Sequence, residues 1–576
     1  MNAAASTALR PVRLPVWRAR IVLVVLLALF AVLAARSLHL QVFRTAFLQE
    51  RGEARYSRAL VLPATRGRIV DRNGEVLAVS TPVRSIWAIP EDVRADSVQR
   101  RALAGLLGLS VAELERRLAQ ARDFAYLRRQ IPPETAERIA ELRIPGIYQH
   151  REYRRYYPAG EVTAHLVGFT GVEDTGQEGV ELAFEAQLAG MAGSRRVIKD
   201  RLGRVVEDIE AVRPARHGRD LRLAMDAKIQ ALAYAALRDA VSAHRARAGA
   251  VVVVDTRTGE LLALANVPSY NPNNRAQLAG AQLRNRAVTD SFEPGSTMKP
   301  FTVALALEQG RVTPATALAT GGGRLQIGGY TIRDVHAAGA LTVTQVLQRS
   351  SNVGAAKLAL TLPREDLHAF LRRLGFGEPP RLGFPGEAGG RLRQARSWRA
   401  IEQATIGYGH GIAASLVQLA RAYTVFAREG DLVPLALLAV EGPVAGTPVI
   451  APATARAVRQ MLELAVQPGG TAPRARIEGW RVAGKTGTAH KAENGAYAAD
   501  RYIASFVGLA PVTAPRLVVA VMIDEPSAGR HYGGEVAAPV FAQVMRGALH
   551  LLGVAHDAPV EPLPLPGLRE AMGENT

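Results

Sequence analysis

The stretch Glu293-Pro294-Gly295-Ser296-Thr297-Met298-Lys299-Pro300, followed by the apolar run from Phe301 to Leu307, decides how this chain is interpreted. A proline and a glycine interrupt the preceding segment, so a helix can begin near Ser296. Residues three positions apart lie on one helix face, with their Cβ atoms about 5–6 Å apart. The spacing therefore predicts that the hydroxyl of Ser296 lies beside the amine of Lys299. Because an uncharged lysine amine can accept the serine proton, the pair indicates a nucleophile and its base.

Lysine is scarce in this chain, which strengthens an otherwise weak motif. Of the 71 basic residues, the lysines are Lys199, Lys228, Lys299, Lys357, Lys485 and Lys491. Arginine cannot lose its proton in a protein, whereas a buried lysine can. A lysine among so many arginines is therefore a candidate for a role that requires an amine. The alternative is a helix cap followed by a solvated lysine.

Length and composition limit what the chain can be. At 576 residues it is too long for one hydrophobic core, so two or three domains are expected. The sequence contains no cysteine, which excludes disulfides, thiolate metal sites and cysteine nucleophiles. The net charge of +19 comes from arginines spread along the chain. This pattern predicts mainly solvated faces, with contact to anionic lipid or an acidic polymer as the alternative.

The first 40 residues contain the targeting signal. Four arginines precede an uncharged apolar run from Ile21 to Ala35, and counting on to Leu40 gives about 20 residues. That length crosses a bilayer core of roughly 30 Å, with Arg36 reaching the interface. The arginines before the run place residues 1–20 in the cytoplasm and the chain after residue 40 outside it. A cleaved signal peptide is the alternative, although no clear cleavage site follows.

Residues 41–215 are polar and carry no cluster of catalytic side chains, so we expect a non-catalytic pedestal domain. Asn73-Gly74 lies between two apolar stretches in residues 66–79, which predicts a β-hairpin. Residues 97–147 resemble short helices broken by Pro132 and Pro133.

A loop over residues 168–179 is rich in glycine and acidic residues. The acidic residues in and beside it are Glu173, Asp174, Glu178 and Glu181. Their spacing does not fit an EF-hand, so a solvated loop is predicted rather than a cation site.

Long apolar elements begin near Arg219. Helices are predicted at 229–241, from 296 onward, and at 341–360, 414–429, 453–466 and 537–552. Strands are predicted at 248–255, 260–265, 480–489, 502–509 and 517–524. Helices between early and late strands predict a sheet flanked by helices, with mainly antiparallel late strands. The proline-rich residues 554–576 predict a disordered tail.

Two further motifs give Ser296 and Lys299 their context. Ser350-Ser351-Asn352 interrupts a helical segment, where side chains can point into a cleft. Lys485-Thr486-Gly487-Thr488 lies in an alternating strand, and its glycine allows another backbone to approach closely. The edge of such a strand can bind an extended peptide, while the lysine and the hydroxyls hold a carboxylate. The ordered set S-x-x-K, S-x-N and K-T-G is typical of penicillin-binding proteins and class A β-lactamases.

A competing motif overlaps the third one. Residues 479–486 match the Walker A pattern G-x-x-x-x-G-K-[ST] in full. A phosphate loop requires an apolar strand before it and a helix directly after it. Here Gly487 follows at once and residues 480–483 alternate like a strand, so an NTPase is the disfavoured alternative.

The sequence resembles class B penicillin-binding proteins over nearly its whole length, most closely the division-specific penicillin-binding protein 3 group. Besides the three motifs, the matching stretches are Arg66–Gly74, Asp255–Glu260, Asn274-Arg275, Arg284–Ala287, Gly407–Gly409, Tyr532–Gly534 and Ala538–Phe541. The resemblance implies a multidomain α+β or α/β protein with one transmembrane helix (residues 21–40), a pedestal (dimerisation or interaction) domain and a transpeptidase domain over residues 216–553. That last domain would contain a mainly antiparallel five-stranded sheet flanked by helices.

The resemblance also implies catalytic roles. Ser296 would attack the carbonyl between the two terminal D-alanines of a stem pentapeptide, and Lys299 would accept its proton. Ser350 would relay a proton to the leaving amine, and Asn352 would bind the stem amide. No metal or organic cofactor would be required.

The same resemblance implies how substrate is held. Lys485, Thr486, Gly487 and Thr488 would form the substrate-binding strand, whose lysine and hydroxyls hold the terminal carboxylate. Backbone N–H groups of Ser296 and Thr488 would form the oxyanion hole. The implied partners are stem peptides, nascent glycan, β-lactams, a septal lipid-linked glycan polymerase and other division proteins, but no nucleic acid.

Several alternatives share parts of this pattern. A D,D-carboxypeptidase or serine β-lactamase would carry the same three motifs but would give the acyl group to water. A membrane β-lactam sensor would have more spans, and a catalytically inactive division scaffold would not need intact motifs. The elongation-specific class B enzyme is the alternative with identical chemistry.

Overall fold

The computed structural model describes residues 15–43, 57–120, 123–199, 205–276, 278–493 and 496–559. The chain forms two compact units, one of residues 1–64 and 191–216 and the other of residues 65–190 and 217–576. The predicted pedestal, residues 41–215, therefore contributes to both units, and its limits stay a prediction.

The helices and strands are numbered in chain order. The helices are α1 (Val16–Leu38), α2 (Ser97–Leu107), α3 (Val111–Ala119), α4 (Pro133–Glu141), α5 (Ala164–Val167), α6 (Gly179–Ala183), α7 (Glu185–Leu188), α8 (Ala227–Ala243), α9 (Gly280–Leu283), α10 (Arg286–Thr289), α11 (Lys299–Glu308), α12 (Val343–Gln348), α13 (Asn352–Thr361), α14 (Arg364–Arg373), α15 (Ala400–Ile406), α16 (Leu416–Ala427), α17 (Pro452–Leu464), α18 (Gly533–Val536) and α19 (Ala538–Leu551). The strands are β1 (Ser57–Leu62), β2 (Ile69–Val70), β3 (Val76–Ala88), β4 (Ala125–Ile131), β5 (Ile147–Tyr156), β6 (Gly193–Lys199), β7 (Val205–Arg213), β8 (Leu221–Arg222), β9 (Ala248–Asp255), β10 (Leu261–Val267), β11 (Ala317–Ala319), β12 (Arg324–Ile327), β13 (Tyr330–Arg333), β14 (Ala340–Thr342), β15 (Asp431–Leu432), β16 (Thr447–Pro448), β17 (Ala483–Glu493), β18 (Ala496–Ala510) and β19 (Leu517–Asp524).

The smaller unit contains α1 and an antiparallel sheet in the order β1-β6-β7. Helix α1 begins directly after Pro15, five residues before the predicted start at Ile21. With the following turn it gives a candidate span of 27 residues, Val16–Val42, in which an 18-residue window has a mean hydropathy of 2.7. None of its residues is buried, as expected of a helix that is long and apolar enough to cross a bilayer.

The first part of the larger unit is a mixed sheet in the order β4-β3-β2-β8, with β5 paired to β3. The predicted hairpin at Asn73-Gly74 is confirmed, because β2 and β3 pair antiparallel on either side of it. Gly74 has φ +91°, a conformation that glycine adopts without steric cost.

The prediction of helices alone across residues 97–147 is wrong, because residues 125–131 form β4. Ala125, Leu127 and Ile131 are buried, the last two in the cluster beneath α2–α4, whereas Tyr126 is exposed. Two consecutive arginines interrupt the alternation of apolar and polar residues in this short strand, so the sequence did not predict it. Pro133 does not break a helix but begins α4, where its missing N–H costs nothing.

The prediction of a solvated acidic loop is wrong for Glu181, which is fully buried. Its carboxylate accepts hydrogen bonds from Nε of Arg66 at 2.6 Å and from Nε of Arg155 at 2.7 Å. Arg155 also donates to the carbonyl oxygen of Gly67 at 2.7 Å. The carboxylate therefore anchors the Arg66–Gly74 stretch. Within the described residues, no group of three or more His, Asp or Glu side chains could hold a metal ion.

The second part of the larger unit contains a five-stranded sheet in the order β10-β9-β19-β18-β17, with every pair antiparallel. All eight residues of β9 are buried. Val251 and Val253 pack in the core with α8 and α19, whereas Val252 and Val254 pack in the opposite core with α11 and α16. The predicted helix-flanked antiparallel sheet is confirmed.

The predicted disordered tail begins too early. Residues 554–559 pack against the start of the K-T-G segment: the ring centroid of His556 lies 4.2 Å from that of Trp480. Asp557 accepts a hydrogen bond from the backbone N–H of Arg481 at 2.6 Å. Residues 560–576 lie outside the described part of the chain.

Replacing Glu181 tests the buried ion cluster. Glu181→Ala leaves two guanidinium groups buried without their shared carboxylate, so we expect the free energy of unfolding to fall by about 3–5 kcal/mol. Urea denaturation of the full chain in detergent, followed by circular dichroism, measures this loss. The control is Asp220→Ala, which removes an exposed partner of Arg68 and should cost less than about 1 kcal/mol. Equal losses in the two variants would contradict the assignment.

Candidate active site

The predicted nucleophile lies on a 3-10 turn, Gly295–Met298, that continues directly into α11 at Lys299. The backbone N–H of Lys299 donates to the carbonyl oxygen of Ser296. Positions i and i+3 eclipse in a 3-10 turn, so the two side chains leave the backbone in the same direction. Ser296 is half-buried, whereas Lys299 is fully buried. Pro300 falls in the first turn of α11, where a proline is tolerated.

The loop around Gly409 fixes the position of this turn. Gly295 has φ +56°, and its N–H donates to the carbonyl oxygen of Gly409 at 3.1 Å. A Cβ atom on Gly409 would lie 2.0 Å from the carbonyl oxygen of Gly295, so only glycine fits there. From the other side, the buried hydroxyl of Tyr423 donates to the carbonyl oxygen of Thr297 at 2.8 Å. The backbone that carries Ser296 is thus held on two sides.

Two buried lysine amines converge on the hydroxyl of Ser350. Nζ of Lys299 lies 2.5 Å from the carbonyl oxygen of Ser350, 3.1 Å from its Oγ and 2.7 Å from Oδ1 of Asn352. Nζ of Lys485 lies 2.9 Å from the same Oγ. Both lysines have no exposed surface. Residues from all three motifs therefore meet in one hydrogen-bonded cluster.

Burial lowers the pKa of both amines, because a low-dielectric interior disfavours their charged forms. The pKa of Lys299 falls well below its usual 10.5 through burial and the nearby charge of Lys485, which the carboxylate of Asp334 opposes. Burial lowers the pKa of Lys485 to about 7. Both amines therefore lose their protons at a lower pH than a solvated lysine does. The charge of Lys485 adds to the effect of burial on Lys299, whereas burial is the cause of the shift at Lys485.

The S-x-N loop has a strained backbone that neighbouring residues stabilise. Ser350 has φ +59°, an uncommon conformation for a residue other than glycine, which costs about 1–3 kcal/mol. Oγ of Ser351 donates to Asp334 at 2.6 Å, and Nδ2 of Asn352 donates to the carbonyl oxygen of Arg333 at 2.9 Å. The amide of Asn352 is thereby oriented with its oxygen toward Lys299. Sequence reasoning missed Asp334 and Arg333, because no local pattern links this hairpin to the motif.

The K-T-G motif lies on β17, the edge strand of the catalytic sheet. A Cβ atom on Gly487 would lie 2.7 Å from the carbonyl oxygen of Pro294 and 2.3 Å from Oγ of Ser505. The prediction that this glycine marks a close approach is therefore confirmed. Its missing side chain lets the strand pack directly against the turn that carries Ser296.

The two threonines of this strand are oriented by other elements. Oγ1 of Thr488 accepts a hydrogen bond from the N–H of Gly533 at 3.0 Å, which leaves its own O–H available to a ligand. Oγ1 of Thr486 lies 3.1 Å from that of Thr471 and 3.2 Å from Nζ of Lys485. Sequence reasoning noted Gly533 in a matching stretch but gave it no role.

The Walker A interpretation is wrong. Gly484, Lys485 and Thr486 belong to β17 and pair with β18 in regular antiparallel register. In a phosphate loop a helix would begin directly after Thr486, whereas here the strand continues to Glu493.

Glu293, which sequence reasoning quoted without a role, connects the Ser296 turn to the β17–β18 hairpin. Its carboxylate accepts hydrogen bonds from the N–H of Gly411 at 2.9 Å and from the hydroxyl of Tyr497 at 2.8 Å. An open cavity of about 160 Å³ lies beside it, lined by His410, His490, Tyr497 and Ala498. Burial lowers the pKa of His410, and the carboxylate of Glu293 opposes this shift.

The predicted site residues thus fall into two groups. Lys299, Ser350, Asn352, Lys485 and Thr486 are joined by hydrogen bonds. Ser296, Gly487 and Thr488 are brought beside them by the backbone contacts of the turn and the strand. Within the described residues, the Ser296 hydroxyl forms no hydrogen bond with the Lys299 amine.

Comparison with known families decides the identity of this fold. Residues 249–546 match the model of the penicillin binding protein transpeptidase domain, and residues 61–223 match that of the penicillin-binding protein dimerisation domain. The chain belongs to the penicillin-binding protein transpeptidase family. Its S-x-x-K, S-x-N and K-T-G motifs all lie inside the transpeptidase match.

Curated relatives extend this family assignment over almost the whole chain. The chain is 42% identical over 551 residues to "Probable peptidoglycan D,D-transpeptidase PenA" of Neisseria gonorrhoeae, which covers 95% of this chain and 94% of that protein. It is 43% identical over 549 residues to "Peptidoglycan D,D-transpeptidase FtsI" of Escherichia coli K12, with 94% and 93% covered. The predicted resemblance to class B penicillin-binding proteins is confirmed.

A solved structure supports the fold of the catalytic part. The apo transpeptidase domain of penicillin-binding protein 3 from Burkholderia pseudomallei is 47% identical, with a TM-score of 0.55. The match covers 58% of this chain and 98% of that one. The likeness therefore concerns the transpeptidase domain.

The lowered pKa values of the two lysines predict how acylation by benzylpenicillin depends on pH. The second-order rate constant should rise with pH as Lys299 loses its proton. It should fall above about pH 7 as Lys485 loses the charge that attracts the drug carboxylate. Stopped-flow measurement of acylation between pH 5 and pH 10 gives this profile.

Lys485→Arg provides the matched variant for the pH profile. Arginine keeps its charge throughout this pH range, so the variant should lose the decline above pH 7 even if its maximum is lower. Lys228→Arg, at an exposed lysine, should reproduce the parent profile. A decline that persists in Lys485→Arg would show that another group causes it.

Proposed function

We propose that this chain is a peptidoglycan D,D-transpeptidase that cross-links stem peptides of the septal cell wall. The observation that carries this proposal is the convergence of two buried amines on Ser350 beside Ser296, next to an edge strand. The cluster supplies a base, a proton relay and a cation in one place. The names of the PenA and FtsI relatives support the same reaction.

Acylation begins when Oγ of Ser296 attacks the carbonyl carbon between the two terminal D-alanines of a stem peptide. Lys299 accepts the serine proton, because its uncharged amine retains a lone pair. Such an amine has two N–H donors, and the carbonyl oxygen of Ser350 and Oδ1 of Asn352 lie nearest to accept them. Collapse of the tetrahedral intermediate breaks the peptide bond. The departing D-alanine amine takes its proton from Lys299 through the hydroxyl of Ser350, which lies between the two lysines.

The substrate is held along β17. An edge strand offers unpaired backbone groups, so the stem can add to the sheet as an extended peptide. The charge of Lys485 and the hydroxyls of Thr486 and Thr488 bind the terminal carboxylate. Backbone N–H groups of Ser296 and Thr488 face the developing oxyanion, and one such donor contributes about 2.7–4 kcal/mol.

The second half-reaction transfers the acyl group. An amine from a neighbouring stem attacks the serine ester, Lys299 accepts its proton through Ser350, and a new amide bond joins the two stems. β-Lactams mimic the D-alanyl-D-alanine end and acylate Ser296 in the same way. No step of this reaction calls for a metal or an organic cofactor.

The membrane placement and partners belong to the same proposal. Helix α1 anchors the chain in the cytoplasmic membrane, with residues 1–20 in the cytoplasm and the remainder outside it. The pedestal follows this anchor in the chain, and a septal glycan polymerase and other division proteins can bind it outside the cytoplasm.

Two of the alternative functions do not explain features of this chain. A D,D-carboxypeptidase or β-lactamase does not require a pedestal of this size, and an inactive scaffold would not need the buried amine cluster. The elongation-specific class B enzyme would use the same chemistry, so the catalytic residues do not distinguish it from a division enzyme. The FtsI relative supports the division role.

Replacing the nucleophile and its base tests the catalytic assignment. Ser296→Ala should reduce labelling by a fluorescent penicillin below detection, because no ester can form. Lys299→Arg should slow labelling by at least about 100-fold, since charge is kept but basicity is lost. The matched controls are Ser397→Ala and Lys228→Arg, both at exposed positions. Labelling of Ser296→Ala at the parent rate would place the nucleophile elsewhere.

Depletion of the chain in its own organism tests the division role. Loss of septal cross-linking should give long filaments that still elongate, whereas loss of an elongation enzyme gives round cells. Phase-contrast microscopy after depletion distinguishes the two shapes. Re-expression of the parent chain, but not of Ser296→Ala, should restore division. Round cells would support the elongation-specific alternative.

A further inference from the structure

The transfer of the acyl group to a neighbouring stem requires two proton acceptors. A primary amine like that of a lysine side chain, with a pKa of about 10.4, is charged at pH 7 in all but roughly one molecule in a few thousand. The acceptor therefore arrives as an ammonium group, which loses one proton before it can attack the ester and another after the attack. In the proposed reaction the second proton passes through Ser350 to Lys299, which returns it to Oγ of Ser296 when the ester breaks. The first proton needs a different base.

His410 lies close to the place where this base is needed. It directly follows Gly409, whose carbonyl oxygen accepts a hydrogen bond from the N–H of Gly295 at 3.1 Å, one residue before Ser296. The open cavity of about 160 Å³ beside this turn is lined by His410, His490, Tyr497 and Ala498. The imidazole of His410 thus faces solvent-accessible space next to the turn that carries the nucleophile.

The carboxylate of Glu293 lies behind this imidazole. Its Oε2 is 3.5 Å from Nδ1 of His410, and the Glu293 side chain is only 9% exposed. Hydrogen bonds from the N–H of Gly411 and the hydroxyl of Tyr497 hold the carboxylate in place. A carboxylate next to one ring nitrogen stabilises the imidazolium that forms when the other nitrogen takes a proton. Within the described residues, Nε2 of His410 has no hydrogen-bond partner, so it can accept one.

The surroundings keep the ring of His410 uncharged until a proton is delivered. Burial lowers its pKa below 6.5, and the carboxylate of Glu293 opposes that shift, so the imidazole has a free lone pair at pH 7. The other titratable groups around the ring are Lys299, His490, Tyr408 and Tyr497. The charges of the first two act in the same direction as burial, whereas the two phenols have raised pKa values and stay neutral.

We propose that His410, with Glu293 behind it, accepts the first proton of the acceptor amine. This inference rests on the proposed transpeptidase function. The ammonium group enters the cavity, gives a proton to Nε2 of His410 and attacks the ester carbon on Ser296 as an uncharged amine. The new C–N bond replaces the C–O bond to Ser296, and Lys299 handles the second proton as before. The imidazolium then releases the first proton to water, so that each cross-link liberates one proton.

Two acceptor amines of different charge test the proposal. The full chain in detergent is acylated by the thioester N-benzoyl-D-alanylmercaptoacetate, and the acyl-enzyme then reacts either with D-alanine or with hydroxylamine. At pH 7 the amine of D-alanine is charged, whereas hydroxylamine is uncharged and needs no first proton acceptor. Liquid chromatography with mass spectrometry measures the rates at which the two products form.

His410→Gln removes the base and keeps a neutral polar side chain. We expect the reaction with D-alanine at pH 7 to slow at least about tenfold, while the reaction with hydroxylamine proceeds at the parent rate. The D-alanine rate of the variant should approach that of the parent at about pH 10, where the amine loses its proton to solvent. The matched control is His550→Gln, at an exposed histidine on α19 outside the cavity, which should behave like the parent with both amines.

The ratio of the D-alanine rate to the hydroxylamine rate is the decisive quantity, because general damage to the site lowers both rates. Fluorescent penicillin labelling at the parent rate reports correct folding. Glu293→Gln keeps the imidazole but removes the charge behind it, so it should lower the ratio at least about threefold. This second variant tests the proposal even if His410→Gln misfolds.

Two results would overturn the role of His410 and leave the proposed transpeptidase reaction intact. One is an unchanged ratio of the two rates in His410→Gln, and the other is an equal loss with both amines. A parent acyl-enzyme that reacts only with water, and with neither amine, would contradict the transpeptidase function and the role of His410 together.

Discussion

The active site depends on two buried lysine amines that both contact the hydroxyl of Ser350. Two buried ammonium groups a few ångströms from the same oxygen would repel each other strongly. The conflict is relieved when an amine gives up its proton, and burial together with the charge of Lys485 lowers the pKa of Lys299 well below 10.5. Burial therefore does more than shield the site, because it favours the uncharged form of an amine. The remaining elements of the domain hold the oxygen atoms that these amines require.

Close backbone contacts make this arrangement possible. Gly487 and Gly409 allow the Ser296 turn to touch β17 on one side and a loop on the other, at distances that a Cβ atom would forbid. The strained conformation of Ser350 points its carbonyl and its hydroxyl at Lys299. Asp334 stabilises that loop from outside the cluster through Ser351. These contacts therefore hold distant parts of the sequence in place around the lysine cluster.

Much of this could be predicted from the sequence, and the exceptions have a common physical cause. The Asn73-Gly74 hairpin and the long apolar strands are local signals, so their predictions were confirmed. The three motifs are also local signals, and their residues lie together in the structure, whereas their catalytic roles stay a prediction. Charged residues are usually solvated, so the predictions for Glu181 and for the arginine-rich β4 were wrong. Glu181 is paired with Arg66 and Arg155, which are far away in the sequence. The role of Asp334 depends on a hairpin that packs against a motif, which no spacing rule encodes. Contacts between charged groups that are far apart in the sequence could therefore not be predicted from local patterns.

The most direct measurement is the titration of the lysine side chains by NMR with lysine labelled with ¹³C at the ε-carbon. The chain has few lysines, so the signal of Lys299 can be assigned by its loss in Lys299→Arg. We predict that the Lys299 signal titrates well below 10.5, the usual pKa of a lysine amine. A Lys299 signal that stays charged up to pH 10.5 would contradict the proposal that this amine is the base.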